Sequence, residues 1–257
     1  MANEVVKSFS EKLTDKLIQV EDALPTDFNR QRFVQNCLAV MNEKPELARV
    51  NPAELQLGLL KGAYLGLDFF RKECYLIPYG NSVNFQTDYK GEVKFVKRYS
   101  IRPIQDVYAR VVRDGDSFSE IIEHGKPSID FKPLPFNTGE IVGVFAVVLY
   151  KDGGLDYEIM SKDDVNNVRA NYSKATQSKA WKCSWDEMAK KTVLRRLCKH
   201  IDTDFESVEA EKAWEDGSLM DVNTATAPKS DELVDAFAAD GSDDLEFRVT
   251  DSEVQHE

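Results

Sequence analysis

The chain has 257 residues, 42% hydrophobic and 30% charged, which is enough to bury a core in one large domain or a domain with a tail and excludes a wholly disordered protein. Its formal net charge of −12 argues at first sight against nucleic acid as a partner. No apolar run reaches the roughly 18–20 residues that cross a bilayer, and the opening MANEVVKSFSEK lacks the apolar centre of a signal peptide, so a cytoplasmic protein with no membrane partner is expected.

Residues 28–42 place Phe33, Cys37, Leu38 and Met41 at helical spacing, which predicts an amphipathic helix. At Asn51-Pro52-Ala53-Glu54 a capping residue, a proline at the first helical position and an acid three residues after the cap announce a second helix. Leu55, Leu59, Leu60, Ala63 and Leu67 supply its buried stripe, and Gly66 helps to end it. The period then shortens towards two: CYLIPY, the turn Gly80-Asn81 and SVNFQ predict a β-hairpin. DYKGEVKFVKRYS returns to helical spacing through Val93 and Val96 and exposes Lys90, Lys94 and Arg98, a basic side that repeats every four residues.

Strands are expected at 103–113, 118–123 and 140–150; the apolar, β-branched run of the last suggests a central strand buried on both faces. LDYEIM at 155–160 should pair back across Lys151–Gly154. Two more helices carry the serine-to-acid spacing of a capping box, Ser161 with Asp164 and Ser184 with Glu187. The polar, basic stretch NYSKATQSKAWKC between them reads as an exposed, mobile loop. From about 216 the chain is rich in Asp, Ser, Ala and Gly and reads as a flexible tail with short apolar islands.

The net charge hides an asymmetry. Residues 201–257 hold 3 basic and 18 acidic residues, which leaves 30 and 27 of the chain's 33 and 45 in residues 1–200. Within 161–200 there are 10 Lys or Arg against 4 Asp or Glu. On the helix after Ser184, Lys191, Arg195 and Lys199 recur at four-residue intervals opposite an apolar side of Val193, Leu197 and Ile201. That stripe suits a row of phosphates, with Trp181 ahead of it as a stacking group; the competing reading is a solvated basic face.

Enzymatic chemistry has less support. There is no phosphate-binding G-x-x-x-x-G-K-[ST] and no G-x-S-x-G. Four dispersed cysteines and three scattered histidines form no metal-ligand spacing, and the cysteines read as small buried hydrophobes. A nuclease could borrow Asp88 and the Glu92-Val93-Lys94 triplet to hold Mg²⁺. On a helix, however, Glu92 is expected to make ordinary surface contacts.

Taken in order, PAELQLGLLKGAYLGL, CYLIPYGNSVNFQTDYKGEVKFVKR, FAVVLYKDGG and WDEMAKKTVLRRLCKH resemble the RecT family of phage single-strand annealing proteins, over residues 28–205. The resemblance implies an α+β fold, a β-hairpin and antiparallel sheet packed with helices. It divides the chain into a variable segment 1–27, an annealing core 28–205 and an acidic, flexible tail 206–257. It further implies an ATP-independent recombinase that is not an enzyme in the chemical sense. Such a protein coats single-stranded DNA, holds the annealed duplex intermediate, and assembles into homo-oligomeric rings or helical filaments. A 5′→3′ exonuclease and the host single-strand-binding protein are the expected protein partners. No cofactor is expected, Mg²⁺ entering only as a modulator of DNA binding.

Carried over to this sequence, the family's basic DNA groove selects Gln86, Tyr89, Lys90, Lys94 and Arg98 from one motif. From the other it selects Lys174, Lys179, Trp181, Lys190, Lys191, Arg195, Arg196 and Lys199. Tyr89 and Trp181 are stacking groups or core or subunit-interface aromatics, and Gln86 is a contact or a plain strand residue. Lys190 and Arg196 point away from the Lys191 stripe, so one set faces DNA and the other a neighbouring subunit. The main alternative is an oligomeric protein that coats single strands without pairing them.

Overall fold

A computed structural model describes residues 2–173 and 176–218. The first half is helical: α1 (Ala2–Gln19), α2 (Arg30–Glu43) and α3 (Pro52–Tyr64) precede a hairpin of β1 (Cys74–Tyr79) and β2 (Ser82–Thr87), and α4 (Tyr89–Tyr99) follows. Side-chain caps start α2 and α3, where Asn29 accepts from Arg32 N–H and Asn51 from Ala53 N–H. Glu54 does not complete a capping box. Its carboxylate instead accepts from Val83 N–H at 3.3 Å and ties the start of α3 to the hairpin. Gly66, at φ +63°, takes the left-handed conformation needed where α3 ends. Leu76, Phe85, Leu59 and Phe69 then join Leu13 and Leu17 of α1 in one hydrophobic core.

The second half is built on an antiparallel sheet in the order β3 (Ile104–Arg113), β6 (Ile141–Tyr150), β7 (Leu155–Ser161). The run at 140–150 is central and buried on both faces, as its apolar pattern predicts. Val144, Ala146 and Val148 face helices α5 (Lys162–Tyr172), α6 (Lys179–Cys183) and α7 (Trp185–His200). Phe145 and Val147 face a separate hairpin of β4 (Ser117–Glu123) and β5 (Lys126–Lys132). There Phe145 meets Phe118 and Phe131 at ring separations of 5.2 and 5.1 Å.

Several expectations need correction. Strand β5 is absent from the sequence reading because Pro127 interrupts its pattern; a two-stranded hairpin tolerates it because one side of each strand needs no ladder partner. The stretch 173–183 is not wholly an exposed loop: it contains α6, capped by Ser178, and Trp181 is buried at 5% exposure. Ser184 makes no side-chain cap, and its expected partner Glu187 pairs with Lys190. Cys183 is exposed, whereas Cys37, Cys74 and Cys198 are buried, with burial pushing all three thiols up.

The folded body also reaches past both boundaries of 28–205. At the front, Leu13 and Leu17 of α1 are fully enclosed. At the back, α8 (Val208–Ser218) buries Ala210 and Ala213 and stacks Trp214 on Phe95 at 4.5 Å. Its acidic residues conceal a narrow apolar stripe that is enough to pack it. The rest of the acidic segment, 219–257, lies outside the described residues.

Candidate nucleic-acid interface

The two most specific motifs of the sequence meet where α4 crosses α7. Asp88 opens α4 as its N-cap, accepting from Lys90 N–H at 3.0 Å. Gly91 lets the helix lie against the chain before β1, since a Cβ there would stand 2.0 Å from the Glu73 carbonyl oxygen. One turn further, Glu92 points into the body with 1% exposure. Its Oε1 accepts from Thr87 Oγ1 at 2.8 Å and pairs with Arg195 Nε at 3.3 Å. Thr87 Oγ1 also lies 3.3 Å from the Gly217 carbonyl oxygen, linking the pair to α8.

This overturns the surface role expected for Glu92. The residue is a buried carboxylate that fixes Arg195, and its engagement takes it away from the metal-binding role a nuclease would need. Burial pushes its carboxyl above the usual range, with Arg195, Thr87 and Lys199 opposing. Burial likewise raises Asp88, against its bond from Lys90 N–H and the nearby Lys191, Arg195 and Lys90 charges. Two half-neutralised acids thus sit among four cations, and the surroundings favour a further negative group. Among the described residues no cluster of three His, Cys, Asp or Glu could hold a metal ion.

The predicted residues separate into groups. Tyr89, Lys90, Lys191, Arg195 and Lys199 come together: Lys191 Nζ lies 5.3 Å from the centre of the Tyr89 ring, and Lys199 is exposed one turn beyond Arg195. Gln86 is on the outer side of the hairpin, opposite Tyr75 in the β1–β2 register. Lys94 and Arg98 do not join the α7 stripe. Lys94 Nζ donates to Glu73 at 2.6 Å and to the Gly66 carbonyl at 3.0 Å, and Arg98 pairs with Asp27. Both therefore hold the end of α3 and the loop after α1.

On α7 the neighbouring cations are committed elsewhere, Lys190 to Glu187 and Arg196 to Glu158 at 2.7 Å. Lys179 is exposed at the start of α6. Trp181 is a core residue, its Nε1 donating to Ser173 Oγ at 3.2 Å with the Arg169 guanidinium 5.5 Å from its ring centre, so it offers no open face to a base. Lys174 lies outside the described residues. Asp88, Glu92 and Thr87 are the site residues that the basic-stripe search passed over; their signal was the acid set before and within the basic helix in DYKGEVK.

The RecT family's sequence model matches residues 31–230, most of the chain and both helices of this junction. The chain belongs to the RecT family. It is 31% identical to Protein RecT of Escherichia coli K12 over 205 residues, covering 73% of this chain and 72% of that protein. It is also similar to the uncharacterised protein YqaK of Bacillus subtilis 168, at 24% identity over 239 residues, 90% of this chain and 76% of the relative. As a RecT-family member it is a phage-type single-strand annealing protein, a DNA-binding protein of recombination. Among the described residues no helix is long and apolar enough to cross a membrane.

Proposed function

We propose that this RecT-family chain binds single-stranded DNA through the phosphate backbone at the α4–α7 junction and anneals it to a complementary strand without ATP, as a ring or filament of identical subunits. The observation that carries this reading is the meeting of Tyr89 and Lys90 with Lys191 and Lys199, about one hundred residues apart in sequence, around two buried acids. Complementary strands repel each other, and cations that neutralise phosphates lower the barrier to bringing them together. Backbone contacts leave the Watson–Crick edges free, so that base pairing supplies the specificity. Many subunits on one strand add weak contacts into a stable complex.

The test is an annealing time course with complementary fluorescent oligonucleotides in the absence of ATP, comparing the wild type with Lys191→Ala/Lys199→Ala. Arg195 is a poor choice for this experiment because removing it also strips Glu92 of its buried partner. Acceleration by the wild type and its loss in the folded double variant support both activity and site. A wild type that protects strands and slows pairing would be a coating protein, and acceleration surviving in the variant would move the interface elsewhere. Each phosphate contact removed should also reduce the steepness of the salt dependence by about 0.7 in log–log slope.

A further inference from the structure

The sheet face away from the helices carries an unusual pair of features side by side. The first is a cavity of about 750 Å³ between the sheet and the β4–β5 hairpin, with Ile129, Phe131, Phe145, Val147, Leu149 and Leu155 among its walls. The second is Phe136, which stands fully exposed with φ +54°, a backbone conformation that bulky residues rarely adopt. Its loop is pinned in place. Asp116 Oδ1 accepts from Leu134 N–H at 3.0 Å and from Asn137 Nδ2 at 2.7 Å, and Asn137 Oδ1 accepts from Gly139 N–H at 2.7 Å. Leu134 and Asn137 line the cavity while the ring between them projects outside it.

We infer that Phe136 of one subunit inserts into the β-face cavity of a second copy of this chain, the contact that strings subunits along a DNA strand. The knob and the hole are different surfaces of the same molecule, so the contact is head-to-tail and leaves one of each open at the ends of any run. Such contacts generate rings or open filaments instead of closed pairs. A single aromatic knob buries on the order of 150–250 Å², far below the roughly 1,000 Å² of a stable interface. The contact is therefore weak between free subunits and becomes effective when a shared strand holds neighbours at high local concentration. It also lies on the sheet face opposite α7, which leaves the basic junction open to DNA.

The inference rests on the annealing reading for its strand, and the experiment separates the two. Full-length protein is titrated onto a short oligonucleotide that takes one subunit and onto a long one that takes many, with occupancy read by mass photometry. Phe136→Asp should melt and bind the short strand like the wild type. On the long strand it should lose cooperativity and at least about 10-fold in affinity. Leu155→Lys, which places a charge in the hole, should do the same. An equal mixture of the two variants retains one intact contact, so it should form pairs of subunits on the long strand and no longer runs.

The proposal is overturned if Phe136→Asp coats the long strand as cooperatively as the wild type, or if the mixture behaves like either variant alone. It is also overturned if Phe136→Asp weakens the short strand equally, which would make Phe136 a DNA contact. A wild type that binds neither strand defeats the annealing reading. Sedimentation without DNA then decides the contact, and a wild type monomeric at every concentration overturns it.

Discussion

The two faces of the β3–β6–β7 sheet share one set of strands and have opposite fates. Towards the helices, Val144, Ala146 and Val148 are sealed beneath α5, α6 and α7, and every specific motif of the sequence lies on or beside that side. Towards the β4–β5 hairpin, Phe145 and Val147 are buried, yet a cavity stays open and Ile122, Leu134 and Phe136 remain exposed. The closed face shows that motif residues often serve the fold first. Lys94, Arg98, Arg196 and Trp181 were selected for DNA and are engaged in internal contacts instead. The open face has no motif and concentrates the exposed apolar side chains that a partner could cover.

The largest effect that would sharpen this contrast is on Trp181. Trp181→Ala should cost about 3–5 kcal/mol in urea unfolding, as for a large core aromatic. A cost below about 0.5 kcal/mol would instead fit an exposed stacking residue and break the assignment of α6 to the closed face. Glu92→Ala follows, with an expected loss of about 3 kcal/mol because it leaves Arg195 beside an emptied, buried site. Adding Arg195→Ala to that variant should then cost much less than it does alone. Additive losses would show that the two side chains are not coupled.

A pH series tests the same pair more finely. Burial holds the Glu92 carboxyl above its ordinary value of 4.5, so the folded protein binds this proton more tightly than the unfolded chain. The residue's contribution to stability is therefore fullest below about pH 4.5 and is lost as pH rises through the folded value. Glu92→Gln has no such proton, so the Tm difference, wild type minus variant, should fall as pH rises from about 4 to 7. A difference that grew with pH would mean that the Arg195 charge outweighs burial. The smallest effect on stability belongs to the open face: Phe136→Asp, fully exposed, should stay within about 0.5 kcal/mol of the wild type in the same urea assay.

Much of the local structure was legible in the sequence because local chemistry sets it. Asn51-Pro52 starts α3, Gly80-Asn81 turns the first hairpin, Ser161 with Asp164 caps α5, and the apolar run at 140–150 becomes the central strand. The family was legible for a related reason, since four such segments occur in one order. Composition misled where a few apolar positions sufficed to pack a polar segment, as in α6 and α8. Only the tertiary structure decided what each charge does. Helical spacing places Lys94 and Lys191 alike on basic stripes, but it carries no information about Glu73 or Tyr89, the groups that the fold brings against them. A cation's role depends on burial and on partners distant in sequence, whereas a turn or a cap depends on its neighbours in the chain.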